Sequence, residues 1–281
     1  MNNESINNQN PYAKKSYAWY MVLLMTMAYM FSFIDRYILG LLIDPIKADL
    51  GLSDTQMGLL LGPAFAIFYA TMGLPLGYLA DRVKRVSIVS IGIFIWSLAT
   101  VASGFAQKFS HLFLARMTVG IGEATLSPCA LSMITDSFPE KNRGRPIGFY
   151  TMGMSFGPAI AYLSGAAVLI WSQSIDSIQI PLIGDIAPWQ LAFILVGFPG
   201  ILLAIFVYFL KEPPRKIDPN LENEEKPTIV EALKYFYSKA SAMCSFILPA
   251  CVMTVIAYSQ AWLAPMFERT WGMAPSQYAL I

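Results

Sequence analysis

Charge is scarce in this sequence, and where it falls matters more than its sum. Of 281 residues, 13% are Asp, Glu, Lys or Arg while 56% are hydrophobic, and the mean hydropathy is +0.53. A soluble globular domain carries about 25% charged residues, so that class is excluded. Basic and acidic residues nearly cancel, 19 against 18, which argues against a nucleic-acid surface. Histidine occurs once, as His111; at the start of an apolar window it reads as an interfacial residue rather than a proton relay. Cys129, Cys244 and Cys251 lie in apolar segments without disulfide or metal-ligand spacing and read as small core residues. No glycine loop followed by lysine is present to cradle a nucleotide, so an ATP-driven pump has no support. No Ser/His/Asp or Cys/His arrangement appears either. The sequence therefore predicts no enzyme, no cofactor and no metal site. A cleaved leader is not expected, because the first ten residues are polar and the run after Lys14 and Lys15 is as long as a full span.

What is abundant is apolar sequence in lengths that cross a bilayer, about 20 residues each. Such windows lie near 18–43, 55–79, 86–107, 110–135, 146–170, 189–210 and 241–266. All are predicted as helices, since only helices and closed barrels satisfy their own backbone in lipid. An eighth window opens at Ser276 and is cut off at Ile281; a bundle of even helix number predicts that the chain is truncated there. Lysine and arginine alternate between loops. Lys14, Lys15, Arg82, Lys84, Arg85, Lys141, Arg143, Arg145, Lys211, Arg215, Lys216, Lys226, Lys234 and Lys239 fall on one side, against Lys47, Lys108 and Arg269 on the other. The positive-inside rule puts the N-terminus in the cytoplasm. Trp19, Tyr20, Trp171 and Trp189 stand at span ends and read as interface anchors.

One segment departs from this composition. Residues 211–240 hold Pro213, Pro214, Pro219 and Pro227 among mixed charges, which marks a cytoplasmic linker. Its end, Thr228–Lys239, is open to two readings, a short helix on the membrane surface or a plain solvated linker. The predicted division is a cytoplasmic tail at 1–16, a six-helix bundle at 17–210, the linker at 211–240 and the start of a second bundle at 241–281. Six spans followed by a linker fits transporters built of two repeated halves.

Within the spans, the few charges are costly and need an explanation. Arg116 and Glu123 interrupt the fourth window; seven residues apart, they share a helix face and lie roughly 10 Å apart along it. Gly120, Gly122 and Ala124 beside them admit a close neighbour. Asp35 and Arg36 lie in the first span. At 1.5 Å per residue, Asp35 and Arg116 reach comparable depths, which predicts that Asp35 pairs with Arg116 while Glu123 sits deeper. Arg36, adjacent to Asp35, points elsewhere and needs another partner. A carboxylate whose arginine partner comes and goes can bind and release a proton. A static structural ion pair is the plainer alternative, and Arg116 can instead hold an anionic group of a solute.

Two short motifs narrow the class. Gly77-Tyr-Leu-Ala-Asp81-Arg82-Val-Lys84-Arg85 closes the second span, with Gly77 allowing close contact and Asp81 able to accept hydrogen bonds. It reads as a charge latch at a helix joint or as a basic flank that only sets topology. The run resembles the major facilitator signature Gly-x-x-x-Asp-Arg-x-Gly-Arg, with Lys84 where that pattern has glycine. Arg116-x-x-x-Gly120-x-Gly122-Glu123-Ala124 resembles the second signature of the same superfamily. With Ile34-Asp35-Arg36-Tyr37 it is similar to spinster-like transporters and to the neighbouring organic anion:cation symporters. Asp136, Arg143 and Arg145 look like a counterpart latch, though a topology flank explains them nearly as well. Gly153-x-x-x-Gly157-Pro158 partly resembles the signature of drug:proton antiporters; simple helix packing is the better explanation, with Pro158 giving a kink.

The resemblance implies an all-α membrane protein of major facilitator fold, the N-terminal six-helix bundle followed by the start of the second. It implies a transporter in an inner or plasma membrane, monomeric when full length, moving a small organic, amphipathic or anionic solute by alternating access coupled to protons. It further implies that Asp35, Arg36, Arg116 and Glu123 bind proton or solute. The rivals are a drug:proton antiporter and a membrane receptor or scaffold that transports nothing.

Overall fold

Twenty-seven residues without a proline, Lys15–Leu41, form the longest helix, α1, and the bundle assembles around it. The computed structural model describes residues 12, 14–172, 178–180, 184–216, 228–260, 262–273 and 277. After α1 the chain turns through α2 (Ile43–Leu50), which ends at Gly51 in the left-handed region, φ 64°. Helix α3 (Asp54–Leu61) opens with a capping box in which Ser53 Oγ accepts from the Gln56 main-chain N–H and Gln56 Oε1 accepts from the Ser53 main-chain N–H. Gly62 and Pro63 break it, and α4 (Pro63–Ala80) completes the second crossing. Then follow α5 (Arg85–Ser103), α6 (Phe109–Glu123) and α7 (Leu126–Ser137), the last two nearly continuous. Helices α8 (Gly144–Thr151) and α9 (Gly153–Ser172) follow, and then α10 (Pro188–Tyr208). Helices α11 (Ile229–Ser238), α12 (Ala240–Gln260) and α13 (Leu263–Trp271) complete the described chain.

Among the described residues, five helical stretches are long and apolar enough to cross a membrane: Lys15–Leu41, Asp54–Ala80, Arg85–Ser103, Phe109–Ser137 and Pro188–Tyr208. Helices such as α4, α10 and α12 are hydrophobic on nearly every face, as expected of segments that meet either lipid or one another, whereas α11 and α13 are amphipathic. One small exception interrupts the helical architecture: Ile178–Ile180 pairs antiparallel with Gly184–Ile186 in the loop before α10. The window expected to open at Ser276 lies, apart from Gln277, outside the described residues.

Small residues set how closely the crossings approach. A Cβ built on Gly120 would lie 2.6 Å from the Phe65 carbonyl of α4, and one on Gly122 2.9 Å from the Gly92 carbonyl of α5. Gly153 and Gly157 face α1 in the same way, where a Cβ on Gly157 would lie 2.5 Å from Phe33 Cβ. Gly77 behaves otherwise: among the described residues a Cβ there would meet nothing within 4 Å. Pro158 sits inside α9, and the break between α8 and α9 falls at Met152.

Two apolar layers result. One gathers Met21, Met25, Trp96, Val119 and Met133; the other gathers Ile38, Leu42, Met57, Leu112 and Phe193. Along α1 the buried polar residues Ser32 and Asp35 fall between them. Trp189 belongs to the second layer, 2% exposed, with Nε1 donating to Asp49 at 2.9 Å, so it is a core residue and not the anchor expected. Of the cysteines, Cys129 is buried, while Cys244 and Cys251 are exposed rather than core.

Candidate functional site

The polar layer is built by α1, α5 and α6. Ser32 and Arg36 are one turn apart on α1 and so share a face, and both reach Glu123, the last residue of α6. Glu123 Oε2 accepts from Arg36 Nε at 2.8 Å, from Arg36 Nη2 at 2.6 Å and from Ser32 Oγ at 2.7 Å. The other oxygen, Oε1, accepts no hydrogen bond from a described residue. The Arg36 guanidinium also lies over three aromatic rings, with centroids 4.6 Å away at Phe65, 5.0 Å at Tyr69 and 5.1 Å at Phe33. Ring faces attract a cation through their quadrupole, and the effect grows as water is excluded.

Asp35 precedes Arg36 and, turned by about 100°, faces α5 instead. Its Oδ2 accepts from Thr100 Oγ1 at 3.0 Å, and its Oδ1 accepts nothing from a described residue. Arg116 Nη1 donates to the Asp35 main-chain carbonyl at 3.0 Å. The expected pairing is therefore corrected: Arg116 meets the backbone of Asp35, and the ion pair joins Arg36 to Glu123. Depth along straight helices places Asp35 and Arg116 at one level; the rotation of α1 about its axis decides which side chain meets which. Ser32 and Thr100 were not anticipated, because nothing distinguishes a lone hydroxyl in an apolar window.

A cavity of about 350 Å³ adjoins this layer, lined in part by Arg36, Tyr37, Phe65, Tyr69, Arg116 and, from α12, Thr254. That volume lies within the range of small-molecule sites. Two cations face it, while the carboxylates of Asp35 and Glu123 are buried behind them.

A second charge cluster lies at the bundle end where α1 begins. Arg85, 1% exposed, donates to Glu212 Oε1 at 2.8 Å, to Ser132 Oγ at 2.7 Å, to the Pro213 carbonyl at 2.9 Å and to Asp136. Glu212 Oε2 also accepts from the Val86 amide at 3.0 Å, at the N-terminus of α5, where a carboxylate is favoured by the unpaired backbone amides. Arg215 donates to the carbonyls of Ala80 and Val83, at 2.7 and 2.6 Å, and to that of Asp81. It thus covers the C-terminal end of α4, where carbonyls lack helical partners. Residues 211–216 therefore form a strap tied across the ends of α4, α5 and α7. Of the residues expected here, Arg85 and Asp136 come together and Asp81 enters through its carbonyl. Arg82 stacks 3.5 Å over the Tyr78 ring. Arg143 bonds locally, to the Thr135 and Phe138 carbonyls, and Arg145 stands apart at a neighbouring cavity. Glu212 and Arg215 were missed because the prolines around them read as the start of a linker.

At the opposite end Arg269 of α13 bonds to Asp44 Oδ1 at 2.5 Å and to Asp54 Oδ1 at 3.1 Å, and Lys47 bonds to the same Asp54 oxygen at 2.6 Å. This ties the segment after α12 to the first two crossings.

A helical bundle with stretches long and apolar enough to cross a membrane, an Arg36–Glu123 ion pair beside a cavity and ionic ties at both ends has the architecture of a multi-pass membrane protein. The profile described as Major Facilitator Superfamily matches residues 25–281, and the chain belongs to that family. It is 34% identical over 189 residues to the probable L-galactonate transporter of Escherichia coli (strain K12), covering 67% of this chain and 38% of that one. It is 31% identical over 253 residues to the protein spinster homolog 1 of Xenopus tropicalis, covering 86% and 44%. Among solved structures it is similar to a bacterial homolog of the human lysosomal transporter Spinster, inward-facing and unoccupied. That likeness has a TM-score of 0.80 and 37% identity, and covers 95% of this chain and 59% of that one. The chain spans about half the length of the curated relatives it matches.

Proposed function

We propose that this chain supplies the first bundle, and the start of the second, of a secondary transporter. The protein moves a small organic anion or amphipathic solute by alternating access, coupled to protons. The observation that carries the reading is the Arg36–Glu123 ion pair set behind a cavity that Arg36 and Arg116 both face. An anionic group entering that cavity competes with Glu123 for Arg36, and protonation of Glu123 releases Arg36 to it. Solute and proton are then linked through one guanidinium. Asp35, held by a single hydroxyl, is the second carboxylate available to titrate. The relatives named as galactonate, hexuronate and galactarate/D-glucarate transporters support a sugar-acid-like carboxylate as the solute class, and the aromatic rings around Arg36 accommodate an apolar portion.

In this reading the division is tail 1–16, bundle 17–210, linker 211–240 and second bundle from 241, monomeric, with the N-terminus on the cytoplasmic side of an inner or plasma membrane. The strap at Arg85 and the Arg269 cluster are the two gates. Gly153 and Gly157 are occupied by packing against α1, so they do not favour a drug:proton exchanger, and a scaffold has no use for an Arg36–Glu123 pair set beside a cavity.

The test is flux of a radiolabelled sugar acid in proteoliposomes bearing the full gene product, with Glu123→Gln and Asp35→Asn beside it. Uptake that follows an imposed proton gradient, and loses that dependence in Glu123→Gln, supports the reading. Gradient-driven uptake retained in both variants makes these acids structural and defeats the mechanism.

A further inference from the structure

Away from the polar layer, a second cavity of about 530 Å³ opens at the bundle end where α1 begins. Three cations line it from separate parts of the chain: Lys15 at the first residue of α1, Arg145 at the second residue of α8, and Lys216 on the strap. Asp136, the one acid among its described lining residues, is already engaged by Arg85 and by the Lys216 amide at 3.3 Å. Lys216 Nζ donates to the Phe138 carbonyl at 3.1 Å, which fixes that ammonium at the wall. No hydrogen bond or ion pair engages the side chains of Lys15 and Arg145 among the described residues. Gathered cations without a counter-ion repel one another, and the arrangement is relieved when an anion joins them.

The location says what kind of anion. Lys15 begins the first stretch long enough to cross a membrane, so the cavity lies at the level of the headgroups. Trp19, one turn further on, lines it and packs edge-on against Phe138 and Phe149, with ring centroids 5.7 and 5.8 Å away; Trp prefers that level of the bilayer. Asn142 adds an amide able to donate. Arg145 can grip two oxygens of a phosphate at once, while the lysines act as point charges.

We propose that this cavity binds a phosphate group held jointly by Lys15, Arg145 and Lys216, supplied by the headgroup of an anionic phospholipid or by a soluble phosphate. The site is distinct from the transport cavity, and the proposal stands whether or not the chain transports anything.

The test measures retention of phosphatidylglycerol against phosphatidylcholine by the 281-residue chain in native mass spectrometry, and the thermal shift given by inorganic phosphate. Each cation near a membrane surface is worth about a fivefold change in affinity. Preferential retention of phosphatidylglycerol that falls on the order of a hundredfold in the Lys15→Gln/Arg145→Gln/Lys216→Gln variant supports a headgroup site. A matching Lys234→Gln/Lys239→Gln variant, on and beside α11, keeps the preference. Stabilisation by inorganic phosphate that the triple variant loses, without lipid preference, supports the site with a soluble source. Equal binding of both probes by wild type and triple variant overturns the proposal, as does binding of neither. Should the triple variant not fold, Arg145→Gln alone, at an exposed and unbonded side chain, loses about fivefold; no loss overturns the proposal equally.

Discussion

Replacing Glu123 by Gln changes one atom and removes one charge, and the geometry around it sets the cost. The Glu123 side chain is fully buried while that of Arg36 retains 26% exposure. Three donors converge on Oε2, and a Gln carbonyl can still accept from all three. What is lost is the charge assistance, the difference between about 2 kcal/mol for a bond to a charged group and about 1 kcal/mol for a neutral one. The new amide nitrogen takes the place of Oε1, which accepts nothing among the described residues. Burying that unsatisfied donor costs about 1–3 kcal/mol more. We expect Glu123→Gln to destabilise the bundle by about 2–4 kcal/mol. Arg36→Gln should cost a similar amount, because it leaves a buried carboxylate without its counter-ion. The double variant should cost much less than the sum, with a coupling of about 2 kcal/mol. The assay is a double-mutant cycle on equilibrium unfolding in mixed detergent and denaturant. Additivity within about 0.5 kcal/mol would refute the reasoning, since it would show the pair to be energetically separate.

Gly120→Ala should cost about 1–3 kcal/mol by driving a methyl against the Phe65 carbonyl, whereas Gly77→Ala, with open space around it, should stabilise by about 0.5–1 kcal/mol; thermal melts of the two compared with wild type check both. Arg85→Lys should release the strap, because an ammonium cannot reach Glu212, Asp136, Ser132 and the Pro213 carbonyl together. Trypsin should then cut at Arg215 or Lys216 at least about tenfold faster, a destabilisation of about 1.4 kcal/mol, and unchanged protection would contradict the strap. Arg269→Ala should free the segment after α12 from Asp44 and Asp54. Because these pairs are exposed, each contributes at most about 1 kcal/mol, and raised ionic strength should reproduce the effect. A spin-label distance between Thr55 and Thr270 that does not widen would exclude this tie.

Much of the architecture was open to a reading of residue types alone. Hydrophobic runs of bilayer length stand out because lipid offers the backbone no partners, and five of the seven predicted windows coincide with described helical stretches long and apolar enough to cross a membrane. The charges that resist insertion, Asp35, Arg36, Arg116 and Glu123, stood out for the same reason and do converge. The small residues Gly120, Gly122, Gly153 and Gly157 were legible as contact points. A Cβ on Gly77 would meet nothing within 4 Å among the described residues; a motif reports residue identity and not what stands opposite it.

The pairing within the polar layer was beyond sequence. Rise per residue places Asp35 level with Arg116, but rotation about the helix axis gives Arg36 to Glu123 and leaves Arg116 on a backbone carbonyl. The strap was hidden for a different reason. Glu212 and Arg215 gain their meaning from α4, α5 and α7, which lie up to 135 residues earlier, and nothing local to a proline-rich linker records that contact. Sequence determined that the chain crosses a membrane with charges inside, because insertion is decided segment by segment. Tertiary structure decided which charges meet, because an ion pair depends on the relative rotation and spacing of two helices that no single segment contains.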